Sequence, residues 1–416
     1  MTSASATQPF PFAAASSSAR QAPIRVAHIA TSDASLRYLL LNQLAHYQDA
    51  GYEVIGISRS GPDVAALEAA GIRFIEAPLS RSIGPMGDLV ALYRLFRILQ
   101  KEDLTVVHTH TPKAGLLGQY AALFARVPLR VHTIHGLYFP GFMKPQMRFL
   151  YVLLERATMQ FSQLNFSQNP EDVPVAIAEH ICKADRIEQV GNGIDLRRFE
   201  ASLYSAEQRR QTRAELGLTP EHIVIGMVAR LVEEKGWLEM LRAAAILKAK
   251  DPRVRFVFIG GFEPAKRDAI RAEALREHGI EDVAQFLGHR TDVDRLYTAM
   301  DIFSLPSHRE GFPRAPMEAS AMGIPCVVTD VRGCRQTVDD GVTGFVVPAR
   351  APDALAAALL KLVDSEMLRR TLGAGARKKA VAEFDERTVI TRILAAYDRL
   401  LEGLPRKVRE KARAAR

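Results

Sequence analysis

Two successive series of short Val- and Ile-rich runs limit the fold of this chain more than any other feature. Each run has the length of a strand, and amphipathic stretches of helical length separate the runs. The first series comprises residues 24–30, 52–58, 73–76, 105–109, 130–133 and 163–167. The second series comprises residues 223–229, 255–260, 284–287, 302–305, 325–329 and 344–347. This alternation is typical of parallel sheets covered by helices, and it predicts an α/β fold with two doubly wound, Rossmann-like units.

Chain length and the sequence between the two series define the expected domains. At 416 residues the chain exceeds the usual size of one hydrophobic core. Gly191-Asn192-Gly193 lies between the series and offers the backbone freedom of a hinge. The expected parts are a disordered tail (1–22), a first domain (23–192), a second domain (193–385), a C-terminal helix packing back toward the first domain (386–404) and a basic tail (405–416).

This architecture favours a reaction between two bound partners. In open α/β sheets, ligands bind beyond the carboxyl ends of the strands, so two facing units would form a cleft for two substrates. Neither unit shows a Gly-x-Gly-x-x-Gly motif after its first strand, which leaves a dinucleotide site without support. The sequence therefore favours group transfer.

The surplus of positive charge is concentrated at the C-terminus. The chain has a formal net charge of +8, and residues 405–416 contribute +5 of it through six basic residues and one acidic residue. The remaining sequence is nearly balanced, so nucleic-acid binding is not indicated. The tail fits an anionic membrane surface as well as it fits a solvated end without a partner.

Cysteine usage and hydropathy favour a cytoplasmic protein. Cys182, Cys326 and Cys334 form no even disulfide framework and lack metal-ligand spacing, which suits a reducing compartment. Residues 1–21 lack the basic start and long apolar core of a secretory signal. No run approaches the roughly 20 apolar residues that span a bilayer, so contact with the inner face of the cytoplasmic membrane would be peripheral.

Two cations follow the first strand of the second series. Arg230 and Lys235 lie between that strand and a predicted helix that begins near Leu238. A helix N-terminus favours anions, and an Arg with a Lys would neutralise a diphosphate. The pair is equally consistent with solvated surface charges beside Glu233 and Glu234.

Two carboxylates follow a later strand of the same series. Glu310 is expected in a loop and Glu318 in the helix after it, with Gly311 allowing close backbone approach. Each carboxylate can accept hydrogen bonds from two neighbouring hydroxyls, so the two could hold a sugar and a ribose. The alternative is that Glu310 pairs with Arg309 or Arg314 and that Glu318 is a first-turn helix acid.

In their order along the chain, these residues resemble the signature of glycosyltransferase family four. The motifs are Arg230 with Lys235-Gly236, Phe286-Leu287-Gly288-His289, residues 306–319 with Glu310 and Glu318, residues 323–330, and residues 340–345. They span nearly the whole second half of the chain. The first half is similar through residues 107–118 and 131–136.

The resemblance implies a GT-B fold, with an acceptor-binding first domain and a donor-binding second domain that face each other across a cleft. The resemblance also implies that Gly311, Phe312 and Pro313 belong to a segment that contacts a nucleotide sugar. The implied roles are diphosphate binding by Arg230 and Lys235, ribose binding by Glu318, sugar binding by Glu310 and His135, and base contact by His289 and Arg290.

The resemblance also implies how the reaction proceeds. The anomeric configuration is retained without a clear protein nucleophile, and the donor's phosphate oxygen deprotonates the acceptor. Catalysis would then depend on charge stabilisation at the leaving diphosphate by Arg230 and Lys235, together with Glu310 and His135. A UDP-sugar is the expected co-substrate, with no cofactor and no metal.

His110 and Lys113 are the acceptor-site candidates of the first half. Lys113 opens a glycine-rich helix, where it could hold an acceptor phosphate or simply be a surface lysine. His108 and His110 suggest a metal, but alternating strand residues are expected on opposite faces and no third ligand is evident.

Three further segments are given structural interpretations. Asp292-Val293-Asp294 is interpreted as a pair of helix N-terminal acids. Where many family members have paired glycines, this chain has residues 31–35, in which Ser32, Asp33 or Ser35 would cap a helix. The apolar helix 88–99 is expected to pack on the sheet, with membrane contact as the alternative.

The leading hypothesis is transfer from a UDP-sugar to a lipid-linked (undecaprenyl-diphosphate) or growing glycan acceptor during bacterial surface polysaccharide synthesis. Residues 307–314 and 330–335 most resemble the corresponding segments of enzymes that assemble O-antigen, capsule and exopolysaccharide. The alternatives are a UDP-sugar epimerase or hydrolase on the same fold, and a non-catalytic scaffold in an assembly complex.

Overall fold

A computed structural model describes residues 24–80, 84–137, 143–263, 266, 268–271 and 273–406. The predicted N-terminal tail and residues 407–416 of the predicted basic tail lie outside these residues. The described chain forms two parallel sheets covered by helices, as the alternating pattern predicts.

The first sheet has seven strands in the order β3-β2-β1-β4-β5-β6-β7, all parallel. The strands are β1 (Arg25–Ser32), β2 (Glu53–Arg59), β3 (Arg73–Glu76), β4 (Val106–His110), β5 (Leu129–Ile134), β6 (Leu164–Ser167) and β7 (Ile187–Gln189). Six of these match the predicted runs, and the short β7 is an additional strand. The order reverses between β1 and β4, which places a switch point there.

The second sheet has six parallel strands in the order β10-β9-β8-β11-β12-β13. The strands are β8 (Ile223–Val228), β9 (Val254–Ile259), β10 (Ala284–Phe286), β11 (Ile302–Leu305), β12 (Cys326–Thr329) and β13 (Gly344–Val347). All six match predicted runs. The reversal between β8 and β11 creates the second switch point.

Fifteen helices are assigned among the described residues. Those of the first half are α1 (Asp33–Ser35), α2 (Leu41–Asp49), α3 (Val64–Ala69), α4 (Pro85–Lys101), α5 (Pro112–Phe124), α6 (Pro145–Met159) and α7 (Asp172–Ala178), with a π-helical turn at Leu36–Leu40. Those of the second half are α8 (Ala206–Glu215), α9 (Trp237–Lys250), α10 (Ala274–Glu277), α11 (Val293–Tyr297), α12 (Arg314–Ala321), α13 (Pro352–Asp364), α14 (Glu366–Glu383) and α15 (Glu386–Glu402). None of the described helices is both long and apolar enough to cross a bilayer.

The last helix packs on the first sheet although the second domain precedes it in sequence. Val389, Ile393 and Tyr397 on α15 share one buried apolar cluster with β1 and α2. Helices α4 and α5 cover the opposite face of that sheet. The predicted helix 88–99 lies within α4 and buries Leu95 and Leu99. Both faces of the first sheet are thus covered, and the carboxyl ends of its strands lie near the second domain.

Candidate functional site

The carboxyl ends of β8 and β11 bring two of the predicted donor residues together. Lys235 Nζ donates a hydrogen bond to Glu310 Oε1 at 2.7 Å, and the Ser307 hydroxyl donates to the same oxygen at 2.8 Å. The side chains of Lys235 and Glu310 are only 14% and 11% exposed. A cation and a carboxylate from two different strand ends therefore form a nearly buried ion pair at the switch point.

Gly236 explains how the two strand ends come so close. It has φ of +78°, and a Cβ there would lie 1.9 Å from the carbonyl oxygen of Pro306. No side chain fits that space, and L-residues rarely adopt that conformation. The glycine after Lys235 therefore allows the turn before α9 to touch the loop that carries Glu310.

Arg230 lies at the same edge and is held by two carboxylates. Its Nη2 is 2.9 Å from Glu234 Oε1, and its Nη1 is 3.2 Å from Glu263 Oε1. The Trp237 indole donates to the Arg230 carbonyl oxygen at 2.7 Å and anchors the backbone. A diphosphate bound by Arg230 and Lys235 would compete with Glu234 and Glu263 for the guanidinium.

Glu318 lies on α12, where the hydroxyl of Tyr297 donates to its Oε2 at 3.0 Å. Burial raises the pKa of Glu318, while the Tyr297 hydrogen bond and the charge of Arg314 oppose that rise. The carboxylate is therefore oriented by a neighbour on α11. This orientation leaves its second oxygen as an acceptor for a hydroxyl.

In the structure, the partners described for Arg309 and Arg314 are groups other than Glu310. Arg309 Nη2 is 3.0 Å from Glu234 Oε2. Arg314 instead donates to the backbone carbonyl oxygens of Tyr38 and Leu39, both at 3.2 Å. Arg314 therefore links the donor segment to the first domain.

The loop after β10 carries His289 and Arg290, the predicted base contacts. Arg290 donates to both carboxylate oxygens of Asp292, at 2.8 and 2.7 Å. This hydrogen bonding lowers the pKa of Asp292 to about 2. The His289 ring meets Tyr38 of the first domain edge-on, with ring centroids 5.7 Å apart. His289 therefore borders the cleft, and Arg290 is engaged by Asp292.

The donor segment touches the first domain through glycine backbone. A Cβ on Gly311 would lie 1.9 Å from the carbonyl oxygen of His135, and one on Gly136 would lie 2.5 Å from Gly311 Cα. Asn169 Nδ2 donates to the Gly311 carbonyl oxygen at 2.6 Å, and Asn192 Nδ2 donates to that of Phe312 at 2.7 Å. The Gly311 backbone therefore lies against the first domain next to His135.

The next two residues of this segment position α12. The Phe312 ring packs perpendicular to Phe384, with centroids 6.2 Å apart. Pro313 is the N-cap residue of α12, with extended backbone angles. Both residues hold the loop between Glu310 and Glu318 in place.

His135 ends a chain of hydrogen-bonded side chains in the first domain. Its Nδ1 is 3.1 Å from Gln168 Oε1, and its Nε2 is 3.2 Å from His110 Nδ1. His110 Nε2 in turn is 3.0 Å from His28 Nδ1. Burial lowers the pKa of His135 to about 4. The imidazole is therefore neutral near pH 7 and has a fixed orientation.

The two predicted acceptor residues are placed differently from each other. His110 is fully buried, and both of its ring nitrogens face other histidines. Lys113, at the start of α5, forms an ion pair with Asp88 at the start of α4. Lys113 is thus at the cleft edge of the sheet, whereas His110 supports His135 from behind.

Comparison with known proteins follows the same division into halves. Residues 208–379 match the family described as glycosyl transferases group 1, and residues 37–193 match a glycosyl transferase 4-like domain. The chain belongs to the group 1 glycosyltransferases. The resemblance to glycosyltransferase family four is thereby confirmed, and the family match supports glycosyl transfer rather than epimerisation.

Curated glycosyltransferases align with this one over most of its length. An Escherichia coli enzyme named UDP-Gal:α-D-GlcNAc-diphosphoundecaprenol α-1,3-galactosyltransferase is 29% identical over 78% of this chain and 83% of its own. The Staphylococcus aureus capsular polysaccharide biosynthesis glycosyltransferase CapM is 27% identical over 91% of this chain and 98% of its own. The crystal structure of Anabaena HepE, solved with UDP and glucose, superimposes with a TM-score of 0.78 at 21% identity, covering 90% of this chain and 99% of that one. The GT-B fold is confirmed.

The structure corrects the interpretation of His108 and His110. Residues two apart on a strand project from the same face, so the expectation of opposite faces was wrong. His28 from β1 joins them, and ligand-type atoms of the three lie within 4.8 Å of one another. However, His108 bonds to Tyr397 and Thr133, each at 2.6 Å, and the His108 and His110 rings stack 4.3 Å apart. Both ring nitrogens of His108 and of His110 are thus engaged in hydrogen bonds, and the three residues form a hydrogen-bonded histidine core in this glycosyltransferase.

The two structural interpretations of polar segments are confirmed. Asp292 precedes α11 and is bound by Arg290, while Asp294 accepts hydrogen bonds from Arg198 and Tyr204. Ser32 Oγ accepts from the Ser35 backbone N–H and caps the first short helix. These acids and hydroxyls stabilise local structure in the enzyme.

Sequence reasoning missed four polar residues of the site. They are Ser307, Asn169, Gln168 and Tyr297. Ser307 follows β11 by two residues, and Gln168 and Asn169 follow β6 directly. Ser307, Gln168 and Asn169 could therefore have been identified as polar residues that closely follow predicted strands. Asn192, interpreted only as part of a hinge, also bonds across the domains.

Proposed function

We propose that this glycosyltransferase moves a sugar, with retention of configuration, from a UDP-sugar to an undecaprenyl-diphosphate-linked or growing glycan in surface polysaccharide synthesis. The observation that carries the proposal is the cluster of Lys235, Glu310 and Ser307 at the switch point, next to Gly311, whose backbone lies against that of His135. This cluster offers a cation for the leaving diphosphate and a carboxylate for sugar hydroxyls at one edge of the cleft.

In this proposal the charge on the diphosphate is stabilised from the second domain. Lys235 and Arg230 bind the diphosphate, and the N-terminus of α9 adds its dipole. Because the developing negative charge lies on the leaving group, these groups stabilise the transition state more than the bound donor. The step requires no metal or other cofactor in this scheme.

The remaining donor contacts follow from position. Glu318, oriented by Tyr297, accepts the ribose hydroxyls, and His289 lies where the base would stack. Glu310 accepts hydroxyl hydrogen bonds from the sugar. The neutral His135 lies on the other side of the cleft, and a sugar hydroxyl that bonds to its Nε2 would replace His110 as the partner of that nitrogen, while Gln168 keeps its hold on Nδ1.

The names of the relatives support the choice of donor and acceptor. The E. coli enzyme is named for UDP-Gal, for a diphosphoundecaprenol-linked GlcNAc acceptor and for an α-linked product. The S. aureus enzyme is named for capsular polysaccharide biosynthesis. UDP-hexoses of this kind are α-linked, so an α product corresponds to retention. A cytoplasmic enzyme acting at the inner face of the membrane fits these substrates.

A transfer assay with product analysis tests the proposal. Purified enzyme would be incubated with a panel of labelled UDP-sugars and an extract of bacterial membranes that supplies undecaprenyl-diphosphate glycans. We expect label in the lipid fraction and an α anomer by NMR of the released product. Transfer only to soluble small molecules would contradict the acceptor, and a β product would contradict retention.

The same assay separates the alternatives. A UDP-sugar epimerase would produce a new UDP-sugar without acceptor, and a hydrolase would release free sugar. A scaffold would bind no nucleotide sugar. Glu310→Gln provides the inactive control, because it keeps the side-chain volume and removes the charge.

A further inference from the structure

Exposed apolar side chains are concentrated on two helices of the first domain. Among the described residues, sixteen large apolar side chains are exposed, and nine of these lie on α4, α5 and α6. Those on α4 are Met86, Leu89, Val90 and Tyr93; those on α6 are Met147, Phe149, Leu150 and Leu153; α5 contributes Phe124. Met86 is 75% exposed and Phe149 is 70% exposed. A soluble protein rarely exposes so many large apolar groups together unless the surface binds a partner.

The topology places this surface beside the cleft. Helix α5 packs between α4 and α6 on one face of the first sheet. Each of these helices follows a parallel strand, so its first turns lie near the carboxyl ends of the strands. Met86 and Phe149 belong to the first two turns of α4 and α6, on either side of Lys113 at the start of α5. The apolar surface therefore borders the acceptor side of the cleft.

The charges around these apolar side chains are mainly positive. Arg94 and Arg97 are exposed on α4, and Arg148 and Arg156 are exposed on α6. The acid of α4, Asp88, is paired with Lys113, and the acid of α6, Glu155, is buried. Apolar side chains next to arginines suit the boundary between acyl chains and anionic headgroups.

A groove along α6 is lined by both apolar and basic side chains. It encloses about 420 Å³ between Met143, Phe149 and Leu153 on its apolar side and Arg148 and Arg156 on its basic side. Glu179 at its wall binds Arg148, and its backbone carbonyl accepts from Arg156 at 2.8 Å. Glu179 thereby holds both arginines at the groove, and the planar guanidinium group matches the geometry of a phosphate.

We propose that the exposed face of α4 and α6 docks this enzyme on an anionic bilayer, with Phe149 and Leu153 entering the acyl boundary and the arginines binding lipid phosphates. The inference rests on the proposed lipid-linked acceptor, because docking here would bring the cleft to the membrane surface where such an acceptor is anchored. The occupant is therefore the bilayer and not a second copy of the chain.

Vesicle sedimentation tests the docking surface independently of catalysis. The full chain would be mixed with vesicles of phosphatidylethanolamine with about one-third phosphatidylglycerol, or of phosphatidylcholine alone. We expect binding to the anionic vesicles that falls at least about tenfold in Phe149→Glu/Leu153→Glu, since two apolar contacts are lost and two repelled charges are gained. The matched control is Met367→Glu/Val381→Glu on α14 of the second domain, where both native side chains are also exposed. Equal binding of the wild type and both variants would overturn the proposal.

Two further measurements separate this inference from the proposed function and from misfolding. UDP binding and the unfolding temperature of Phe149→Glu/Leu153→Glu should match the wild type, while transfer to acceptor in anionic vesicles should fall with vesicle binding. Transfer to a detergent-dispersed acceptor should persist. Wild-type vesicle binding without any transfer would contradict only the function. Dimerisation of the wild type that this double variant abolishes, together with no vesicle binding, would replace the bilayer by a second chain and overturn the docking proposal.

Discussion

Lys235 Nζ lies 2.7 Å from Glu310 Oε1 and joins the end of β8 to the end of β11. Both side chains are mostly buried, so each charge depends on the other for compensation. Glu310 also accepts a hydrogen bond from Ser307, which fixes its carboxylate. A donor diphosphate that binds Lys235 would leave Glu310 free to accept hydrogen bonds from the sugar.

The first prediction concerns the charge of Glu310. In Glu310→Gln, the amide oxygen can still accept from Lys235, so the fold should persist and the unfolding temperature should change by only a few degrees. Turnover should fall at least about a hundredfold, since a charged acceptor at the reacting sugar is lost. Glu281→Gln is the control, because Glu281 is an exposed acid of the same domain. Near-normal kcat in Glu310→Gln would remove Glu310 from its proposed role.

The second prediction concerns the orientation of Glu318. Tyr297→Phe removes the hydroxyl that donates to Glu318 Oε2 at 3.0 Å. The loss of one hydrogen bond to a carboxylate should weaken UDP binding by about 1 kcal/mol, or roughly fivefold, in titration calorimetry. Tyr204→Phe is a matched control, because its hydroxyl donates to Asp294 and not to the donor site. Equal UDP affinity in both variants would argue against ribose binding by Glu318.

The third prediction concerns the contact between the two domains. In Gly311→Ala the new methyl group would meet the carbonyl oxygen of His135 at 1.9 Å, so the donor loop must move away from the first domain. We expect kcat to fall at least about tenfold, because the displacement separates Glu310 from His135. Gly403→Ala serves as control, since its nearest atoms are 3.5 Å away and its φ is ordinary. Full activity of Gly311→Ala would show that this contact is dispensable.

Much of the architecture follows from the apolar runs because a buried parallel strand must be continuously apolar. The run at residues 302–305, for example, is β11, and the polar residues after it form the donor loop. The strand β7 was not predicted because it contains only three residues, Ile187–Gln189, of which one is apolar. The runs placed Lys235 and Glu310 after two predicted strands, but their convergence depends on the pairing of β8 with β11, which the runs did not specify.

Contacts between distant segments could not be predicted in this way. Asn169 reaches the carbonyl of Gly311 across 142 positions, and nothing local to either residue specifies that pairing. The histidine core was misjudged for a different reason. His108 and His110 share a face by strand geometry alone, but the presence of His28 beside them depends on the pairing of β1 with β4.

The histidine core itself makes stability depend on pH. Burial lowers the pKa of His28 to about 3, of His132 to about 3 and of His135 to about 4, all from an ordinary 6.5. His108 and His110 are also shifted well below that value by burial and by their histidine neighbours. Below pH 6.5 the unfolded chain therefore binds protons that the folded chain does not. The stability that these residues contribute is full above pH 6.5 and is lost as the pH falls toward the folded pKa values.

The fourth prediction isolates one member of this core. For each buried histidine, the free energy of unfolding should fall by about 2 kcal/mol when the pH is lowered from 7 to 5. His28→Phe keeps a ring against Tyr47 and removes a titrating group whose Nε2 is buried without a hydrogen-bond partner among the described residues. We expect urea unfolding at the two pH values to show that His28→Phe loses less free energy of unfolding between pH 7 and pH 5 than the wild type does, by about 2 kcal/mol. His180→Asn should leave the loss unchanged, because His180 is exposed and its left-handed backbone suits Asn. An unaltered pH dependence in His28→Phe would mean that His28 is already accessible to protons in the folded enzyme.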